Sequence, residues 1–185
     1  MTSARQLSTE ELEQGLDNIL QSPKDEGRLE LIVKRPDVDR REEVSAGRLD
    51  AERGLIGDNW FGRGNRHMPD GAADPERQLT IMNSRVVALV ANGQDRRELA
   101  GDQLFLDMDL SGENLPPGTR LAIGDAVIEV TEPPHTGCKK FANRFGRDAV
   151  VFVNSGSGKK RNFRGINAKV VQSGNITVGD VAKKI

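Results

Sequence analysis

The chain has 185 residues, of which 36% are hydrophobic, and a formal net charge of −1, which suits one domain of ordinary size able to bury a real core. An aromatic content of 4%, with no Tyr and a single Trp, leaves too few stacking platforms for a single-stranded nucleic acid surface, so no nucleic acid partner is expected. The one cysteine excludes an intrachain disulfide, so the fold does not need an oxidising compartment.

Ser8 followed by Glu11 has the form of a capping box, and Leu12, Leu16, Ile19 and Leu20 recur at helical spacing, which predicts one amphipathic helix closed by Pro23. Residues 1–27 are accordingly expected to form a helical appendage to a domain spanning 28–185. "RLELIVKRP" alternates as a strand with Leu29, Leu31 and Val33 on one face, ending where Arg35 precedes Pro36. Trp60 to Glu76 carries Gly, Pro, Asn and Asp without a hydrophobic period and reads as a long mobile loop. "RQLTIM" returns to strand character, and "NSRVVALVANG" reads as a short helix between an Asn or Ser start and an Asn-Gly stop. Six further strands are predicted in "QLFLDMDL", "TRLAIG", "AVIEVTE", "AVVFVN", "INAKVVQ" and "ITVGDV". Gly124-Asp125 and Ser173-Gly174-Asn175 read as tight hairpin turns, because Gly and Asn tolerate the positive φ such turns need. Many short strands with close turns predict a mainly β protein, an antiparallel β-barrel or sandwich, with a few short helices and an N-terminal helix. The opening residues lack a signal-type apolar core, and the longest aliphatic run, Val86 to Ala91, is far too short for a membrane span. The expectation is therefore a cytoplasmic protein with no membrane partner.

The chemistry concentrates in "TEPPHTGCKKFANRFG". Pro133-Pro134 stop the preceding strand, Gly137 permits close backbone approach, and Lys139 and Lys140 follow Cys138 directly. A thiol in such an electropositive turn is a candidate nucleophile and soft metal ligand, rather than the small buried hydrophobe that a single cysteine more often is. His135, three residues earlier, is a candidate to orient a ligand or move a proton. A structural zinc site is not supported, since no second cysteine exists and His67 lies far off in the loop, where it reads as a solvated residue. From Pro134 to Val170 nine Lys or Arg face a single acid, Asp148. This asymmetry suggests an anionic ligand as well as a solvated charged face. "NSGSGKKRNFRG" superficially has the form of a phosphate-binding loop, but Phe152 or Val153 stands where the first glycine is needed and Lys160 replaces the required Ser or Thr. It reads as a solvated hairpin whose glycines and cations retain only a less specific capacity for phosphate.

Five stretches in order, "GLIGDNW", "RQLTIMN", "AGDQLFLDMDLSGENLPPGTRLAIGDAVIEVTE", "PHTGCKKFANRFG" and "RGINAKVVQSGNITVGD", resemble the MOSC domain, named for the C-terminal domain of molybdenum cofactor sulfurase. The resemblance runs from about Arg28 to Asp180, and "CKKF" departs from it in carrying two lysines where one charge is expected. It implies a β-barrel whose cysteine, matched by Cys138, either ligates the molybdenum of the molybdenum cofactor (molybdopterin) or bears sulfur from a pyridoxal-phosphate-dependent cysteine desulfurase. Standalone members of the family are linked with reduction of N-hydroxylated small molecules, which requires an electron-donor reductase as partner; the alternative is a sulfur carrier holding a persulfide on Cys138. The chain is thus expected to be an oxidoreductase or a sulfurtransferase. Cys138 and His135 are the catalytic candidates. Lys139, Lys140, Arg77, Asp102, Ser111, Asn114, Arg164 and Asn167 fall in or beside the family-like stretches and are candidates for cofactor or substrate contacts. Gly57, Asp58, Gly101 and Gly112 are expected to shape turns rather than do chemistry.

Overall fold

The computed structural model describes residues 5–185. Helices α1 (Thr9–Gln14) and α2 (Leu16–Leu20) open the chain. Ser8 caps α1 through the expected box: its hydroxyl accepts from Glu11 N while its own N–H donates to the Glu11 carboxylate. The predicted single helix is interrupted at Gly15, whose Cα lies against the Leu89 side chain. Eleven strands follow: β1 (Glu26–Lys34), β2 (Glu42–Val44), β3 (Ala46–Asp50), β4 (Gly54–Leu55), β5 (Leu79–Asn83), β6 (Leu104–Asp107), β7 (Arg120–Ile123), β8 (Ala126–Val130), β9 (Ile166–Gln172), β10 (Gly174–Thr177) and β11 (Val181–Lys184). Between them stand α3 (Trp60–Arg63), α4 (Ser84–Ala91), α5 (Lys139–Phe145), α6 (Arg147–Asn154) and α7 (Gly156–Lys160).

Seven strands close into a barrel in the order β11-β7-β8-β9-β5-β6-β1, with β11 pairing back onto β1. Every pair is antiparallel apart from β5 and β6, which run parallel with Ile81 opposite Leu104. β2 lengthens the sheet beside β1, and a second small sheet has the order β10-β3-β4. Period-2 alternation sorts the side chains into two cores. Leu104 and Leu106 of β6 belong to the barrel interior with Ile81, Leu121 and Ile128. Phe105, between them, faces outward with Met82 to meet Leu12, Val86, Phe141 and Phe145 of the surrounding helices.

Four further sequence expectations are corrected. Leu29, Leu31 and Val33 do not share a face, because a bulge at Glu30 shifts the β1–β6 register between Leu29 and Leu31. Leu29 therefore joins Ile32 in the barrel, while Leu31 and Val33 face the helices. "AVVFVN" is helix α6, not a strand: Ala149, Phe152 and Val153 are its buried residues, at helical spacing, while Val151 is exposed. The segment predicted as a solvated hairpin after it forms α7, capped by the Ser155 hydroxyl on Gly158 N, and Gly158 packs against the Phe152 carbonyl rather than lining a ligand cradle. Gly124-Asp125 is the expected two-residue hairpin, with Ile123 opposite Ala126 and Gly124 at φ +55°. Ser173-Gly174-Asn175 is not a hairpin but a corner, since β9 pairs with β5 and β8 whereas β10 crosses to β3. Trp60 to Glu76 is largely irregular, with α3 at one end and a 3-10 turn over Pro75–Arg77 at the other.

Candidate functional site

The loop from β8 to α5 is held at several points along its length. Thr131 N donates to the Asn167 carbonyl and Thr131 Oγ1 to the Glu76 carbonyl. Asn167 Nδ2 donates to the Pro133 carbonyl at 2.9 Å. Asn154, the last residue of α6, closes a two-bond clamp on Gly137: its Oδ1 accepts from Gly137 N at 2.9 Å and its Nδ2 donates to Gly137 O at 3.0 Å. The next residue, Cys138, is exposed and extended at the N-cap of α5, and its side chain caps no backbone N–H. Lys139 and Lys140 are exposed beside it, and Lys140 Nζ lies 3.5 Å from Asp39. The sulfur is thus exposed directly after a clamped residue.

Beneath the loop lies a buried charged constellation. Asp102, with a fully buried side chain, receives Arg164 Nη1 at 2.6 Å, and Arg164 stacks over the Phe141 ring at 4.9 Å. His135 Nδ1 stands 3.3 Å from Asp102 Oδ1 with the imidazole 18% exposed. Neither of those two atoms, nor Arg164 Nε, completes a hydrogen bond. Burial above all, then the Arg164 charge, pushes the His135 pKa down to about 4 against the pull of Asp102, so the imidazole is neutral at physiological pH. His135 also borders a small cleft of about 220 Å³ that reaches Thr131, Gly165 and Asn167. The turn before Asp102 gathers further cations: the carbonyls of Leu99, Ala100 and Gly101 accept from Arg144, Arg164 and Arg35 respectively, at 2.8, 3.0 and 3.0 Å. Among the described residues no group of three or more His, Cys, Asp or Glu stands together to hold a bare metal ion.

Residues 63–183 match the family model of the MOSC domain. The chain belongs to the MOSC domain family. The fold of this MOSC protein is similar to that of the YuaD protein from Bacillus subtilis, with a TM-score of 0.59 and 19% identity over 85% of this chain and 96% of that one. It is also similar to YiiM from Geobacillus stearothermophilus (TM-score 0.57, 14% identity, 86% and 75% covered) and YiiM from Escherichia coli (0.53, 20%, 85% and 69%). None of the curated proteins matches the sequence. Among the described residues of the MOSC chain no helix is long and apolar enough to cross a membrane.

The structure brings Asp102, His135, Arg164 and Asn167 together around the cysteine loop, and it places three other candidates elsewhere. Ser111 and Asn114 spend their polar groups on the loop after β6: Asn114 N donates to the Ser111 hydroxyl, Asn114 Nδ2 to the carbonyls of Lys24 and Asp109, and Asn114 Oδ1 accepts from Lys184. Arg77 is exposed, 3.4 Å from Asp74, on the rim of a cleft that also holds Trp60, Arg63 and His67. His67 is solvent-exposed as expected, its Nε2 accepting from Arg66. Asp58 does more than shape a turn, since it binds the Arg35 guanidinium bidentately at 2.8 and 2.9 Å and accepts from the N–H groups of Arg35 and Trp60. Arg35, Arg41, Arg144 and Asn154 were not singled out by the sequence. Only the basic count from Pro134 to Val170, which includes Arg144, pointed toward any of them.

Proposed function

We propose that this MOSC protein binds the molybdenum cofactor with Cys138 as the protein's ligand to the metal, and serves, with an electron-donor reductase, in the reduction of small N-hydroxylated molecules. The observation that carries the reading is the exposed Cys138 thiol on a clamped turn, in the same loop as His135, which faces the buried Asp102–Arg164 pair. The residues fit such a cofactor. One soft sulfur without a surrounding ligand set suits a metal that arrives already held by an organic dithiolene, and unpartnered buried atoms on His135, Asp102 and Arg164 suit a polar guest. Exposed Lys139 and Lys140 would help to balance an anionic, phosphorylated pterin and Arg164 would add a donor beneath, while Asn167 braces the loop that leads to the lysines through the Pro133 carbonyl. When bound, the cofactor supplies two-electron, oxygen-accepting chemistry. The chain's own part is to orient and to hold protons: neutral His135 turns its buried Nδ1 toward Asp102, which leaves Nε2 as the nitrogen for a substrate hydroxyl, and Asp102 with Arg164 fixes its surroundings. Protein purified from molybdate-supplied cells is expected to contain molybdenum and pterin, and Cys138→Ser to lose the metal. Their absence from both proteins would remove the reading.

The exposure of Cys138, with no capping bond to hold its sulfur, favours one second reading, a sulfur carrier bearing a persulfide supplied by a cysteine desulfurase. Incubation with a desulfurase and free cysteine should then add one cyanide-labile sulfur to the intact mass. An unchanged mass rejects it.

A further inference from the structure

Arg41 stands out among the arginines around the Leu99–Gly101 turn because nothing neutralises it. Arg35 has Asp58, Arg164 has Asp102, and Arg144 shares Asp39 with Lys140. Among the described residues no carboxylate pairs with Arg41. Its Nη1 donates to the neighbouring Arg40 carbonyl at 2.7 Å, while its Nε is buried without a partner. Its Nη2 lies 3.4 Å from the point where a side chain on Gly101 would begin, and Arg144 Nη1 lies 3.5 Å from the same point. Gly101 has φ +88°, a conformation that favours glycine, so no side chain of the turn comes between the two guanidinium groups. Burial first, then repulsion from Arg144 and Arg35, lowers the proton affinity of Arg41 despite the distant pull of Asp39 and Asp58. A buried donor without an acceptor is costly, and the guanidinium fork matches the oxygen spacing of a phosphate or carboxylate.

We infer that Arg41 and Arg144 form an oxyanion site over Gly101 that takes the phosphate group of a small ligand. The inference deepens the proposed function and rests on it only for which molecule carries the phosphate: the pterin cofactor, or a free phosphate or phosphorylated substrate. The test is calorimetric titration of inorganic phosphate at low salt into desalted, pterin-free wild type, Arg41→Gln, Arg41→Lys and Cys138→Ser. Wild type and Cys138→Ser are expected to bind alike. Arg41→Gln should bind about tenfold more weakly or worse, as loss of a charged hydrogen bond implies, with Arg41→Lys between them. Equal binding by wild type and a folded Arg41→Gln, or no binding by wild type at millimolar phosphate, overturns the site whatever the molybdenum measurement gives. The same titration into pterin-loaded protein assigns the source. Lost binding means that the cofactor's phosphate fills the site, and retained binding means that the site serves a second, phosphate-bearing molecule.

Discussion

His135 shows how one residue couples the site to stability. Its side chain faces Asp102 and Arg164 at close range, with Arg35 and Arg77 adding positive potential. Its folded pKa of about 4 lies below the ordinary value of 6.5, so between those limits the unfolded chain binds the proton that the folded chain refuses. The resulting contribution is fully present above pH 6.5 and is lost as the pH falls toward 4. A shift of that size corresponds to about 3 kcal/mol. Urea unfolding of wild type and His135→Gln at a series of pH values should show wild type losing roughly that much relative to the variant across the window. A difference that stays constant from pH 7 to pH 4 would show that the histidine is not held neutral. Cys138 and His135 were legible at this scale because Pro133, Pro134 and Gly137 frame them locally. Arg35 was not, because its partners Asp58 and Gly101 lie 23 and 66 residues away and no local pattern encodes such a pairing.

At the scale of elements, α6 ties sequence misreading to function. "AVVFVN" is rich in β-branched residues and imitates a buried strand, yet tertiary packing of Ala149, Phe152 and Val153 decides for a helix. That choice puts Asn154 at the helix end, where its amide pairs with both polar groups of the Gly137 peptide. A strand at the same place would turn Ala149 and Val153 to one side and Phe152 to the other. Asn154→Ala leaves the Gly137 N–H and C=O without their partner and is expected to cost about 2 kcal/mol in urea unfolding. It should also change the alkylation rate of Cys138, whose backbone follows directly from the clamp. A variant with unaltered stability and unaltered thiol reactivity would mean that the clamp positions nothing. The β1 bulge and the corner at Ser173 escaped the sequence for a related reason. Each is set by which neighbour the strand pairs with, and local alternation is silent on that.

For the molecule as a whole, the run of short strands and the Gly124-Asp125 turn made an antiparallel barrel or sandwich legible, whereas the closure that decides for the barrel was not. Closure depends on β11, which lies between the first strand and β7: Lys183 pairs with both Glu26 and Ala122, and Ala182 is fully buried in the interior core. A sheet that ends without this strand exposes two unpaired edges, the usual origin of aggregation in β proteins. The strand also ties down the loop after β6, because Lys184 donates to Asn114 Oδ1. Ending the chain after Asp180 is therefore expected to abolish a cooperative thermal transition and to expose apolar surface to a hydrophobic dye. Ala182→Arg should weaken stability by several kcal/mol through a charge forced into the barrel while leaving the chain length intact. If the shortened protein melts cooperatively within a few degrees of the full chain, the barrel is held by its other strand pairs and β11 is an ornament on its edge.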